Sequence, residues 1–342
     1  MSLIVLASSS GVTLQDEGRP GWLAQGLSRG GAADSVALVE GAALLGQPPG
    51  LPVVELANGP ARFRTTKPLR IALTGAPFRA TLREGGEDRP LSWNTSHALP
   101  HGAELSLSPA EGGFAYLTPA GGIEAPLVLG GRSAHLAAGI GEALKPGDEL
   151  ALGPDPGGSV DMVLEPVPRS GGGKVRVVES LQTSAFPPEQ VERFRCTTFR
   201  RDPRGNRMGV RLNPEDGTGF EAPGGLSILS EIVQPGDIQI TGDGTPFVLL
   251  CECQTTGGYP RIATVLPCDL PRIVQAPPSA ALDFRFVSRA EGRAAMADHA
   301  RVLSSLRDRL RPRLRDPAAM ADLLSYNLIG GVVSAHHHED AP

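Results

Sequence analysis

The stretch FVLLCECQTTGGYPRIATVL, residues 247–266, sets two apolar runs, Phe247–Cys251 and Ile262–Leu266, around a polar middle that carries paired glycines. Short apolar runs bounded by turn residues read as strands, so Gln254–Pro260 is expected to be the loop joining them. Gly257 and Gly258 let the backbone approach a ligand closely or take positive φ. Gln254 brings an amide, Thr255 and Thr256 bring hydroxyls, and Tyr259 an aromatic wall. A loop that only reversed the chain could be shorter and chemically plainer. Two readings stand for it, a plain hairpin and the lip of a binding site.

The rest of the chain fits a strand-rich protein. Its 342 residues favour two domains over one core. Among them are 43 glycines and 32 prolines, which punctuate the sequence at short intervals, as many short strands and turns require. A net charge of −5, with acids and bases interspersed, argues against nucleic acid as a partner. The opening MSLIVLASSSGV has no leading positive charge and too short an apolar run for a secretory signal, and no window has the length of a membrane span. The four cysteines (Cys196, Cys251, Cys253, Cys268) contain no CxxC pair and read as reduced thiols, which makes a cytoplasmic location the default. Cys251 and Cys253 are expected to share one face of a strand.

The sharpest break in composition is EPVPRSGGGK, residues 165–174. It reads as a linker, giving a lobe over residues 1–165, a linker at 166–174, a second lobe over 175–335 and a tail at 336–342. Its GGGK end is not a phosphate-binding loop, because Pro168 and Val175 stand where that pattern needs glycine and a hydroxyl residue. Alternation and turn residues suggest strands near 3–7, 12–15, 52–57, 61–64, 69–74, 78–83, 104–107, 114–118 and 148–152, then 175–179, 226–229, 237–240, 246–252, 261–266 and 283–287. One helix is expected at 35–45, capped by Asp34 and stopped at Gly46. A second runs from about 290 to 311, with Met296, Ala300, Leu303, Leu306 and Leu310 on one face. His336–His338 are assigned no function.

Three clusters carry candidate chemistry. In GVTLQDEGRPGWLAQGLSRGGAAD (11–34), Gln15 and Asp16 end a strand, and Arg29-Gly30-Gly31 leads into the Asp34-capped helix. With Arg19 and Arg29 this composes an anion site, with Asp16 as proton acceptor or metal ligand. The alternative is that Asp16 caps a turn and pairs with Arg19. In NRMGVRL (206–212), Arg207 and Arg211 would share one strand face and hold a carboxylate or phosphate, or else form surface ion pairs. The third cluster gathers Gln239, the Gly242–Gly244 turn and the loop at 254–260 at strand ends, the way a β-scaffold builds a polar pocket. The sequence has no GxSxG, HExxH or strand-following GxGxxG motif. His97, His101, His135 and His299 are isolated and read as surface or packing residues.

Taken in order, TLQDEGRPG (13–21), SRGGAAD (28–34), ELANGP (55–60), NRMGVRL (206–212), GDIQITGDGTP (residues 236–246), QTTGGYPRIATVLPCDLPRIVQ (254–275) and NLIGGVV (327–333) resemble the carboxyltransferase-like family of the 5-oxoprolinase C-type subunit, allophanate hydrolase subunit 2 and the urea carboxylase carboxyltransferase domain. The resemblance implies a mainly β fold of two barrel-like, cyclophilin-like lobes. It implies a component of an ATP-dependent 5-oxoprolinase that opens 5-oxo-L-proline to L-glutamate. The ATP would be shared with partners, namely a B-like companion of the same family and an A-like lactam-utilisation protein. On that view Asp16, Arg19 and Asp34 are the catalytic candidates. A small anionic substrate would meet Gln15, Arg29, Gly30, Gly31, Glu55, Arg207, Arg211, Gln239, Gln254, Thr255, Thr256, Gly257, Gly258 and Tyr259. Two other roles occur in the family, carboxyl transfer to urea from biotin borne on another protein, and regulation of a sensor-kinase inhibitor. The chain departs from the family pattern at Ala32-Ala33, where many members carry methionine, and at Thr241, where proline is common. It also lacks a biotin-accepting lysine flanked by methionines, so a whole biotin-dependent cycle does not reside in it.

Overall fold

The computed structural model describes residues 1–110, 113–221, 228–278 and 280–313. Its first half holds β1 (Ser2–Ser8), β2 (Val12–Gln15), β3 (Val53–Ala57), β4 (Ala61–Thr65), β5 (Leu69–Gly75), β6 (Phe78–Glu84), β7 (Glu87–Leu91), β8 (Thr95–Leu99), β9 (Glu104–Pro109), β10 (Phe114–Pro119), β11 (Glu149–Ala151) and β12 (Met162–Val163), with α1 (Ser35–Leu45). One sheet runs β11-β1-β4-β9-β6-β7; a second contains β2-β3-β10-β5-β8-β12 in that order. In β4, ARFRT alternates buried and exposed, sending Ala61, Phe63 and Thr65 inward and Arg62 and Arg64 to solvent. Leu3, Phe63, Leu82 and Leu105 of the first sheet meet Val54, Ile71 and Leu117 of the second in one core. Burying apolar area at about 25 cal/mol per Å² is what holds such a sandwich together.

The second half holds β13 (Gly173–Val178), α2 (Pro188–Cys196), β14 (Thr198–Arg201), β15 (Gly209–Pro214), β16 (Glu231–Ile232), β17 (Asp237–Ile240), β18 (Pro246–Leu249), β19 (Thr256–Gly257), β20 (Arg261–Val265), α3 (Leu270–Gln275), β21 (Ala281–Phe286) and α4 (Arg289–Ser304). Seven of these strands close a barrel in the order β13-β20-β17-β18-β15-β14-β21, sealed by the parallel β13–β21 pair. Closure removes the free edges that an open sheet would expose. Phe194 of α2 plugs the barrel, with ring centroids 5.1 Å from Phe199 and 5.2 Å from Phe284. The same apolar cluster continues into Ala37, Leu38, Val53, Phe114 and Tyr116, so α1 and the second sheet pack directly on the barrel. The fold is thus mainly β, as the sequence implied.

Helix α1 forms as expected. Asp34 accepts from the Val36 and Ala37 N–H groups at 3.1 and 3.3 Å, and Gly46 ends the helix at φ 68°. Gly41 lets it sit against β10, since a Cβ there would lie 2.3 Å from Thr118 Oγ1. Other expectations need correction. The helix of 290–311 stops at Ser304; Ser305 turns the chain and Leu306–Arg309 form a 3₁₀ turn that buries Leu306. Strand β18 ends at Leu249, so Cys251 and Cys253 lie in the turn beyond it and not on a strand face. Residues 228 and 229 are not strand, while 226 and 227 of that expected strand, NLIGGVV and His336–His338 lie outside the described residues. Strands β7, β8, β12, β14, β16 and β19 and helices α2 and α3 were not foreseen. The charged runs of β7 and α2 carry too few apolar residues to show a period.

Candidate functional site

Strand β2 delivers Gln15 and Asp16 to the seam between sandwich and barrel. Asp16 Oδ1 accepts the Gly18 N–H at 2.7 Å, and Oδ2 accepts the Arg132 N–H at 2.6 Å. Both oxygens therefore hold turns, which is the capping alternative for this residue. Beyond it the chain folds back on itself: Arg19 N–H donates to the Arg29 carbonyl at 2.8 Å, and Ala32 N–H to the Asp16 carbonyl at 2.9 Å. Gly30 N–H reaches across to the Cys251 carbonyl of the barrel at 2.9 Å.

This crossing walls a cavity of about 360 Å³, lined on one side by Asp16, Glu17, Arg29, Gly30 and Ser35 and on the other by Pro235, Leu250, Cys251 and the 267–271 segment. Arg29 is exposed and donates through Nε to the Glu17 carbonyl at 2.7 Å. Among the described residues it is the one guanidinium lining this cavity, whose lining also includes Asp16 and Glu17. Burial raises the Cys251 thiol to about 11, partly opposed by Arg207. It is therefore a neutral wall, not a nucleophile.

Behind the cavity lies a buried polar network. Arg207 Nε meets Glu252 Oε1 at 2.7 Å, its Nη1 bonds Glu55 Oε1, and its Nη2 donates to the Gly31 carbonyl at 2.6 Å and to Gln15 Oε1 at 3.2 Å. Glu55 Oε2 accepts from Ala33 N–H at 2.8 Å and from the Tyr116 hydroxyl at 2.6 Å. The Tyr116 oxygen accepts the Asp34 N–H at 2.8 Å. Burial, then the Glu55 charge, lifts the Tyr116 pKa well above its ordinary value, so the phenol stays protonated and can donate. Each of Arg207's three guanidinium nitrogens is engaged and the side chain is buried, so it positions the seam and does not offer itself to a substrate.

Several expected placements are thereby corrected. Arg211 does not join Arg207: it lies on β15 with Nη2 3.2 Å from Thr245 Oγ1 and 3.5 Å from Asp243 Oδ2. Arg207 precedes the strand and turns inward, so the strand period does not relate the two. Asp34 is buried as helix cap and ion-pair partner of Arg169 and is not among the residues lining the cleft. Arg19 is wholly buried; Nε donates to the Val128 carbonyl at 3.3 Å, Nη2 to Ser133, and Nη1 has no hydrogen-bond partner among the described residues. No ion pair joins it to Asp16 among those residues, although Asp16 and Glu252 offset the lowering of its pKa by burial.

The Gln254–Tyr259 loop forms a ledge beside the cleft and is not among the residues lining it. Gln254 Nε2 donates to Gln239 Oε1 at 3.2 Å, and Gln239 Nε2 to the Tyr259 carbonyl at 3.4 Å. A Cβ on Gly257 would fall 2.5 Å from Gln239 Nε2. Thr255 and Gly258 accept from Val233 and Ile228 N–H groups at 3.0 and 2.8 Å, and Thr256 pairs with Ile232. Thr255 Oγ1 lies 3.9 Å from where a Gly26 Cβ would stand, so the ledge does reach the opening segment.

Ser28, which was not singled out, and His135, read from the sequence as a surface or packing residue, meet here in a buried contact. His135 Nδ1 accepts the Ala138 N–H at 3.3 Å, which leaves Nε2–H to donate to Ser28 Oγ at 2.8 Å. That tautomer is the wrong one for drawing a proton from serine. Burial, with Arg19 adding to it, lowers the His135 pKa, against a partial rise from Glu252. No local motif announces a contact spanning 107 residues. Glu252 was more legible, as the lone carboxylate of the 247–266 stretch, directly after its first apolar run. Among the described residues, no group of three or more His, Cys, Asp or Glu side chains is placed to hold a metal ion.

A β-sandwich joined to a closed barrel through a buried Arg–Glu seam, with an adjoining cleft, defines the class. Residues 25–286 match the family described as carboxyltransferase domain, subdomain A and B, and the chain belongs to that family. It is 32% identical over 314 residues to the C-type subunit of 5-oxoprolinase from Escherichia coli (strain K12), covering 90% of this chain and 98% of that protein. It is 29% identical over 292 residues to the protein of the same name from Haemophilus influenzae, covering 84% of this chain and 92% of that one. Among solved structures, TTHA0988 superposes with TM-score 0.73 at 30% identity over 83% of this chain; the chain spans 55% of that protein's length. The Kluyveromyces lactis urea carboxylase gives TM-score 0.75 at 23% identity over 92% of this chain and 31% of its own, a likeness of fold.

Proposed function

We propose that this chain is the C-type subunit of a cytoplasmic, ATP-dependent 5-oxoprolinase, which opens 5-oxo-L-proline to L-glutamate together with a B-like and an A-like partner. The observation that carries this reading is the similarity to the C-type subunit of the Escherichia coli 5-oxoprolinase over 98% of that protein's length. The cleft beneath Gly30 takes the substrate, with Arg29 meeting its single carboxylate. Gln15, Gly31, Glu55 and Arg207 hold the seam that shapes it. The cleft does not fit ATP itself: one guanidinium against two carboxylates is a poor host for a polyanion, so the nucleotide is assigned to the partner subunits. Carboxyl transfer from biotin on another protein is supported by the family's description and by the likeness of fold to urea carboxylase, and neither fixes function.

The test is reconstitution. Purified chain, both partner subunits, 5-oxoproline and ATP should release glutamate, and leaving this chain out should stop the release. Arg29→Ala should raise the KM for 5-oxoproline about tenfold or more while the assembly still forms. Glutamate absent from a complete, folded assembly would overturn the proposal.

A further inference from the structure

A single apolar side chain on a surface needs no explanation, but here several gather. At the tip of the 125–132 loop, Leu127, Val128 and Leu129 are exposed in succession, Leu127 at 63%. Leu129 holds a φ of 54°, where a leucine is strained in a way that a glycine is not, so the aliphatic group stands there against the local preference of the chain. The tip is also held still. Buried Arg19 donates through Nε to the Val128 carbonyl at 3.3 Å, and the Trp22 indole N–H donates to the Leu129 carbonyl at 2.8 Å. Val128 and Gly131 exchange backbone hydrogen bonds of 2.8 and 3.2 Å. A surface fixed in this way loses little freedom when something covers it.

A second apolar set lies across one 3₁₀ turn from the first. Leu23–Gln25 form that turn, with Trp22 before it and Gly26 after it. Trp22 holds the Leu129 carbonyl, and a Cβ on Gly26 would stand 3.9 Å from Thr255 Oγ1 of the ledge. On the ledge Ile232, which pairs with Thr256, is 58% exposed, and Tyr259 is 42% exposed. Apolar groups on two sides of one turn, set among polar loops, have the make-up of a protein–protein surface.

Resting on the function proposed above, we infer that the 127–129 tip and the ledge beside it are where the B-like companion subunit docks. An ATP-dependent opening brings nucleotide and lactam together, so a cleft that does not fit ATP calls for a partner at its edge. The tip meets that edge. Arg132 N–H, on the returning arm of the loop, donates to Asp16 Oδ2 at 2.6 Å, and a Cβ on Gly131 would fall 3.0 Å from the Gly18 oxygen. Asp16 in turn lines the cleft. TTHA0988 carries this fold with nearly as much chain again, since the present chain spans 55% of its length. A companion subunit supplies such a second body when the chains are separate.

The test is photo-cross-linking of the full chain. With p-benzoylphenylalanine in place of Leu127, irradiation of the chain mixed with both partner subunits should join it to the B-like subunit, as read by mass spectrometry. A cross-link to the A-like subunit, to a second copy of this chain or within the same chain, or none at all, would overturn the inference. Leu127→Ser combined with Leu129→Gly should raise the Kd for the B-like subunit about tenfold or more without lowering the melting temperature, and Ile232→Thr should raise it about threefold or more. Unchanged affinity in the folded double variant would likewise overturn the docking surface; should that variant not fold, the cross-link decides. Glutamate release from the same mixture separates this inference from the function it rests on. Release with the cross-link elsewhere removes the docking surface and leaves the function. No release from a complete, folded assembly cross-linked through position 127 leaves the surface and removes the function.

Discussion

Arg169 Nε lies 2.6 Å from Asp34 Oδ2, a fully buried ion pair between residues 135 apart in sequence. Arg169 also grips Glu40 on the next turns of α1 at 2.6 Å, while Gln275 of α3 reaches the same Asp34 oxygen at 2.8 Å. The helix start, the crossing segment and the barrel thus share one carboxylate. Deleting the cation strands two buried carboxylates. Arg169→Met is therefore expected to lower the unfolding free energy by about 3–5 kcal/mol in urea titrations. Adding Glu40→Leu to it should recover part of that loss, since one uncompensated charge then goes as well.

The two arginines of NRMGVRL should behave unlike one another. Arg207 fills a planar, four-partner site that an ammonium cannot match, so Arg207→Lys is expected to cost about 2–4 kcal/mol. Arg211, with its side chain 40% exposed, makes a surface pair, and Arg211→Ala should change stability by under about 0.5 kcal/mol. Thermal unfolding of the two variants side by side checks this. A large effect at Arg211 would mean that it, too, is part of the seam.

What the sequence made legible was local. The Asp34 cap, the Gly46 stop and the β4 alternation are written in neighbouring residues, and each appears where expected. The destination of long side chains was not legible. Arg169 stands among prolines and glycines, the surroundings of a solvated linker, yet it is buried because its partners come from α1. His135 found Ser28, and Arg207 found Glu55, only through tertiary closure. Candidate residues could be gathered by type; which of them face the cleft was set by pairings more than 100 residues long.

Acid should weaken the molecule through His135. Burial and Arg19 hold its folded pKa below the ordinary 6.5, so the unfolded chain takes up the proton first. Its contribution is complete above about pH 6.5, falls as pH drops below that value, and levels off beneath the depressed folded pKa. Glu252 and Arg207 face the same ring and bear on the shift in opposite directions. His135→Asn keeps an acceptor for the Ala138 N–H but does not titrate. Unfolding free energies measured from pH 7.5 to 5 should fall less steeply in this variant; an unchanged slope would assign the acid sensitivity elsewhere, His299 included, whose pKa is also lowered by burial.

The four thiols should separate cleanly by reactivity. Cys196 is exposed, whereas burial pushes Cys251 up to about 11, Cys253 to about 12 and Cys268 to about 11. The thiolate is the reactive form. Brief iodoacetamide treatment at pH 7.5, read by peptide mass mapping, should label Cys196 and leave the other three largely unmodified until denaturant is added. Rapid labelling of Cys251 would contradict its assignment as an inert wall of the cleft.

Gly31 and Gly46 offer a matched pair for the floor of the cleft. Both have positive φ, 79° and 68°, so alanine at either incurs the left-handed penalty of about 1–2 kcal/mol. At Gly46 nothing lies within 4 Å of the added carbon. At Gly31 the carbon would meet Gly18 N at 2.6 Å and the Glu17 carbonyl carbon at 2.8 Å, both of them backbone. The turn at 17–18 must then move, and with it Asp16, whose carboxylate holds Gly18 and Arg132, and the Gly31 carbonyl that receives Arg207. Gly31→Ala is accordingly expected to destabilise by about 2 kcal/mol or more beyond Gly46→Ala. In the reconstituted assembly it should also reduce glutamate release under conditions where both variants are fully folded, while Gly46→Ala should not. Equal stabilities and equal activities would mean that the two glycine turns yield freely, and that the floor of the cleft is not held by the packing of Gly31 on Gly18.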